Sequence, residues 1–185
     1  AGDIIIAEMT AVDPYGNMSL PVVMLLDSDN ALLLDAGTFG DAILGAVLPY
    51  DGQYTLIASR YDGRAGDSEG EYNLKLMKLS LLEAGAAVSG ELVNTERHYY
   101  AVDASAPFSV SYEKTAGDFF PEIAFLQIDE GEFDDYASLT GKFASATVTV
   151  DPVEATSDVI IVCVREALWD YYWDEVSAAY TLTLN

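Results

Sequence analysis

The sequence predicts an all-β protein built as two tandem antiparallel β-sandwiches, and three observations carry that prediction. Apolar and polar residues alternate in short runs: Tyr54, Leu56 and Ala58 against Gln53, Thr55 and Ser59, then Tyr72, Leu74 and Leu76 against Asn73 and Lys75. A period of two buries one face of a strand. No segment between Ala1 and Ser80 sustains the 3.6-residue period of an amphipathic helix. The strand patterns of the first half also return in the second, which ends on a matching Tyr-x-Leu-x-Leu at Tyr180, Leu182 and Leu184.

Taken in order, Ile4, Ile5, Ile6 and Ala7 predict a first strand over Asp3–Thr10, closed by the turn residues Asp13 to Asn17. Pro21 opens an apolar run, Val22–Leu26. An acidic turn, Asp27 to Asn30, leads to a strand over Ala31–Leu34, and Asp41–Val47 forms the next. Leu48–Leu79 reads as a hairpin or its near relative, two strand patterns joined by a glycine-rich acidic loop. Residues 81–88, LLEAGAAV, read as a connector. Glu91–Asn94 and His98–Val102 are strands with no counterpart in the first half.

Thereafter the halves run in parallel. Phe108, Val110 and Tyr112 answer Ile4–Met9, and Pro121 with Ile123–Ile128 answers Pro21 with Val22–Leu26. Asp129 to Glu132 replaces the acidic turn. Ala146–Val150 answers Ile43–Val47, and Val159–Val164 answers Tyr54–Ser59. The expected organisation is therefore a sandwich over 1–80 that lacks its first strands, a connector over 81–88, and a second sandwich over 89–185.

The runs GDIIIAEMTAVDP, LPVVMLLDSDNALLL, DAILGAVLPYDGQYTLIASRY and EGEYNLKL together resemble the bacterial pre-peptidase C-terminal domain, across almost all of residues 2–79. The second half resembles it more loosely, through SGELV, YYAV, FPEIAFL and AYTLTL. The resemblance implies a jelly-roll β-sandwich, secreted and non-catalytic, appended to proteases or repeated in surface proteins, with calcium or collagen binding in some relatives. The first copy departs from the family pattern, because Ala1 already lies where its third strand should begin.

Composition narrows the function. With 31 acidic against 8 basic side chains, the formal charge of −23 disfavours nucleic acid and anionic membranes as partners. No apolar run approaches the roughly 20 residues that span a bilayer, and the opening Ala1-Gly2-Asp3 lacks the basic region of a signal peptide. High acidity, many tyrosines and few lysines suit an extracellular or cell-surface protein. The lone cysteine, Cys163, sits in the apolar run IIVCV and reads as a buried small hydrophobe.

Catalytic signatures are absent. The only histidine, His98, lies in the strand pattern RHYYAV without a nucleophile elbow, and no zinc spacing or phosphate loop appears. Calcium is the one candidate cofactor, because clustered carboxylates are what it needs. Asp27, Asp29 and Asn30 crowd one turn, and Asp62, Asp67 and Glu69 crowd the loop before Tyr72. The competing reading is a solvated acidic loop. Trp169, Tyr171, Tyr172 and Trp173 form an aromatic cluster suited to an interface or to capping a core. Asn17-Met18-Ser19 matches a glycosylation acceptor at Asn17.

The expected function is a structural one: an extracellular subunit that polymerises with copies of itself head-to-tail, the missing strands being supplied by a neighbour. Candidate donors are Leu81–Val93, Ala1–Thr10 and Tyr180–Asn185. The alternative is an accessory module of a larger secreted protease or surface protein, gripping collagen, polysaccharide or cell wall.

Overall fold

The protein is described from a computed structural model covering residues 1–12, 20–37, 41–67, 69–93, 96–117, 119–129, 132–139, 144–150, 158–166 and 177–185. The sites expected at Asn17 and at Trp169, Tyr171, Tyr172 and Trp173 lie outside the described residues.

The described residues are almost entirely β, and the chain divides into two compact units, the first of Ala1–Leu79 with the short piece Ile128–Phe133 and the second of Ser80–Gln127 and Asp134–Asn185. The first contains β1 (Ile4–Ala11), β2 (Pro21–Leu26), β3 (Leu32–Ala36), β4 (Asp41–Val47), β5 (Thr55–Arg60) and β6 (Tyr72–Leu79). These form two three-stranded antiparallel sheets, ordered β4-β1-β6 and β3-β2-β5. Their facing sides bury Ala7, Met9, Leu44, Val23 and Leu25 in one core.

The second unit contains β7 (Ala87–Val93), β8 (Arg97–Asp103), β9 (Phe108–Gly117), β10 (Pro121–Asp129), β11 (Glu132–Leu139), β12 (Ser145–Val150), β13 (Val159–Glu166) and β14 (Ser177–Leu184). Its two sheets run β12-β9-β14-β7 and β11-β10-β13-β8. Successive strands alternate between sheets except at β10 to β11, which is the eight-strand connectivity of a jelly roll. The core takes Phe108, Val110 and Tyr112 from one sheet and Ile123, Phe125, Val162 and Val164 from the other.

Strand registers align the units residue by residue. Ala7 faces Leu44 on one side and Leu76 on the other, as Val110 faces Val148 and Leu184. Met9 lies between Ala42 and Leu74, as Tyr112 lies between Ala146 and Leu182. The six strands of the first unit therefore occupy the places of β9 to β14, in the same sheet order. The positions of β7 and β8 have no counterpart among the described strands of the first unit.

Three sequence expectations need correction, and one strand was not foreseen. The Leu48–Leu79 stretch is not a hairpin: β5 pairs with β2 and β6 with β1, in different sheets. Alternation shows that each strand has a buried face but not which strand lies beside it, and the intervening segment, 61–71, is far longer than a tight hairpin turn. A strand, β11, follows the second acidic turn; its sequence EFDDYASL is too acidic to signal a buried face. Residues 81–88 are not a free connector. Leu82 N–H donates to the Ala101 carbonyl, Gly85 N–H to the Leu184 carbonyl, and β7 begins at Ala87. Finally, the true counterparts of Ala146–Val150 and Val162 are Ala42–Ala46 and Leu56, one residue from the alignment read off the sequence. A one-residue slip exchanges the core and solvent faces, so the register decides it.

Candidate functional site

With no described strand beside it in the first unit, β6 is an open edge of its sheet, and β5 is likewise the open edge of the other. In the second unit the corresponding β14 and β13 are internal, flanked by β7 and β8. The consequence is read directly on the repeated motif. Tyr72, Leu74 and Leu76 pair with Ala11, Met9 and Ala7, so they project to the core face. They are nonetheless 44%, 41% and 61% exposed. Their counterparts Tyr180, Leu182 and Leu184 are 1%, 0% and 5% exposed. On the opposing sheet, Leu56 and Ala58 are half-buried where Val162 and Val164 are fully buried.

Between these edges lies an open cavity of about 490 Å³, lined by Met9 from β1, Ala58 and Arg60 from β5, Arg64 and Glu69 from the loop, and Tyr72 from β6. The segment 60–78 along the open side carries four basic residues, Arg60, Arg64, Lys75 and Lys78, against four acidic ones, Asp62, Asp67, Glu69 and Glu71. The rest of the chain holds the other four basic residues against 27 acidic ones, so the whole net charge of −23 lies outside this segment. Lys78 Nζ bonds the Asp3 carboxylate at 2.7 Å, and this hydrogen bond holds the exposed Asp3 below the usual carboxylate range.

The second unit shows how the equivalent opening is closed. β7 runs antiparallel to β14 with Gly90 opposite Tyr180 and Val88 opposite Leu182. A Cβ on Gly90 would lie 2.7 Å from the Tyr180 hydroxyl and 2.8 Å from His98 Nδ1, so only glycine fits beneath the ring. The Tyr180 hydroxyl lies 2.8 Å from His98 Nδ1 and 2.7 Å from the Tyr100 hydroxyl, both on β8. Burial, then the hydrogen bond with Tyr100, drives the Tyr180 hydroxyl far above its ordinary pKa. His98 thus serves to tie β8 to β14. Sequence reasoning placed His98 in a strand but missed this network, whose one signal was a glycine inside the strand pattern SGELV.

The acidic turn expected to bind calcium is organised by its own chain. Asp27 Oδ1 accepts the Asp29 and Ala31 amides, each at 2.9 Å, and Oδ2 accepts the Tyr50 hydroxyl at 3.1 Å. The Ala31 amide, with Asp29 and Tyr50, holds the Asp27 carboxyl below its ordinary range. Asn30 and Asp62 adopt left-handed backbone conformations that make their turns, at φ 61° and 58°. Among the described residues, no three Asp, Glu, His or Cys side chains converge as a group able to hold a metal, so Asp29, Asp67 and Glu69 are not gathered with the others into a centre. Cys163 is buried, as its apolar run predicts.

No family model and no curated protein sequence matches the chain.

Proposed function

We propose that this chain is a non-catalytic, extracellular structural subunit whose first sandwich is completed by strands from a neighbouring molecule of the same kind, joining subunits head-to-tail. The single observation that supports this reading is the repeated Tyr-x-Leu-x-Leu strand, covered in one unit and bare in the other. Full burial of one such side chain is worth roughly 1.5 to 3 kcal/mol, and the open backbone edge of β6 adds unpaired N–H and C=O groups that invite pairing. Because acceptor and donor are different surfaces, the contact is heterologous and propagates unless its rotation closes a ring.

Of the candidate donors, Ala1–Thr10 supplies β1 and Tyr180–Asn185 supplies β14, each central in its own sheet and paired on both sides. Leu81–Val93 supplies β7, an edge strand. A donated segment is accordingly of the β7 kind. Electron microscopy and light scattering of the full chain test the proposal: assemblies that grow with concentration are expected, and Leu74→Asp with Leu76→Asp should leave folded monomers. A native chain that stays monomeric at every concentration, or a variant that assembles equally well, overturns it.

A further inference from the structure

The acceptor reading leaves open what the slot selects, and the second unit supplies a template for the answer. We infer that the open side of the first sandwich is specific for two consecutive strands in trans, one added to each sheet, of which the first reads apolar-x-Gly-x-apolar with the glycine opposite Tyr72 and the second brings a polar side chain to the Tyr72 hydroxyl. This inference rests on the strand-acceptor proposal and adds a register to it.

Tyr72 and Tyr180 occupy equivalent places, since Leu74 and Leu182 face the equivalent residues Met9 and Tyr112. Tyr180 lies across its neighbour strand so closely that the residue opposite can carry no side chain. An aromatic ring covering a cross-strand glycine pins the register, because a shift by two residues sets the ring against a Cβ. The flanking Val88 and Leu92 of the template fill the space on either side of the ring, and Leu92 is fully buried. In the first unit the cavity beside Tyr72 is open at the same place, with Met9 at its floor.

Charge points the same way. The template segment, 87–103, carries Glu91, Glu96 and Asp103 against Arg97, and is acidic. The cavity presents Arg60 and Arg64 against Glu69, in a segment that is neutral within an otherwise strongly acidic chain. An acidic segment is repelled less there than elsewhere on the molecule.

The experiment uses the full chain and a fluorescent synthetic peptide of sequence 87–103, together with a second peptide in which the glycine corresponding to Gly90 is valine. Saturable binding of the first peptide is expected, at least tenfold weaker binding of the second, and loss of binding by the Leu76→Asp chain, whose fold circular dichroism monitors. Tyr72→Phe should weaken the first peptide several-fold by removing one hydrogen bond. Equal binding of both peptides overturns the register while leaving strand acceptance standing. No binding of either peptide also overturns it, and concentration-dependent assembly of the chain, measured in parallel, shows whether the acceptor proposal falls too. A dimer formed by direct β6-to-β6 pairing that the peptide does not compete away likewise overturns it.

Discussion

Two strands of nearly the same sequence, Tyr72-x-Leu74-x-Leu76 and Tyr180-x-Leu182-x-Leu184, sit at equivalent registers in the two units, one half-exposed and the other fully buried. The difference lies in what stands next to them. β14 has β7 on its outer side and β8 closing the opposing sheet, whereas β6 and β5 end their sheets. An alternating strand thus states which face is meant for a core, but the core exists only when the neighbouring strands are supplied. In the first unit the motif is therefore an exposed apolar edge, and in the second it is part of the core.

The comparison can be broken most directly by truncating equivalent leucines. Leu182→Ala should cost about 2 to 5 kcal/mol, as large-to-small changes in packed cores do. Leu74→Ala in dilute monomer should cost less than about 1 kcal/mol, as surface changes do. Chemical denaturation followed by circular dichroism measures both, and equal losses would mean the first unit is as closed as the second. Next in size is Gly90→Val, which drives a side chain into Tyr180 and His98 and should cost about 1 to 3 kcal/mol by overpacking; an unchanged denaturation midpoint would show that Tyr180 moves freely.

A pH titration sharpens the contrast further. Burial pushes the Tyr112 hydroxyl up to about 12, and Tyr180 is raised further still. Their folded-state values exceed the unfolded value near 10, so the native state keeps protons that the unfolded chain gives up. This stabilisation is fully present below about pH 10 and is lost as pH rises from there through 12. Denaturant midpoints of the second unit should fall across that window, and a flat profile would contradict the burial of both rings. The smallest effect is expected for Tyr112→Phe. The Tyr112 hydroxyl is buried with no hydrogen-bond partner among the described residues, so its removal should be neutral or stabilise by up to about 1 kcal/mol. A clear loss of stability would reveal a partner.

Much of this architecture was legible. Pro21 and Pro121 opened the strands they announced, Asp41–Val47 matched β4 end for end, and the Tyr-x-Leu-x-Leu strands were visible as alternation. That the strands around Glu91 and His98 have no counterpart among the described strands of the first unit could be read from the repeat. Pairing was not legible, because alternation is local and the partners of β5 and β6 lie tens of residues away. β11 was hidden by its acidic side chains. The hydrogen bonds that organise the Asp27 turn were not legible either, because a carboxylate that accepts backbone amides and one that binds a cation look alike in sequence. Of the candidate site, the bare strand was foreseeable from the strands without counterparts. The glycine beneath Tyr180 was not, since nothing local records which ring crosses it.

The place of β14 bears on how the second unit forms during synthesis. β14 follows every other strand of its unit in the chain, yet it lies between β7, the first made, and β9, and joins both. Until Ser177–Leu184 leaves the ribosome, β7 has no partner in its sheet and the sheet stays in two pieces. Ribosome-bound chains should therefore hold this unit unfolded to a late stage, and its folding should be slow, as expected where the decisive pairings join residues some ninety apart.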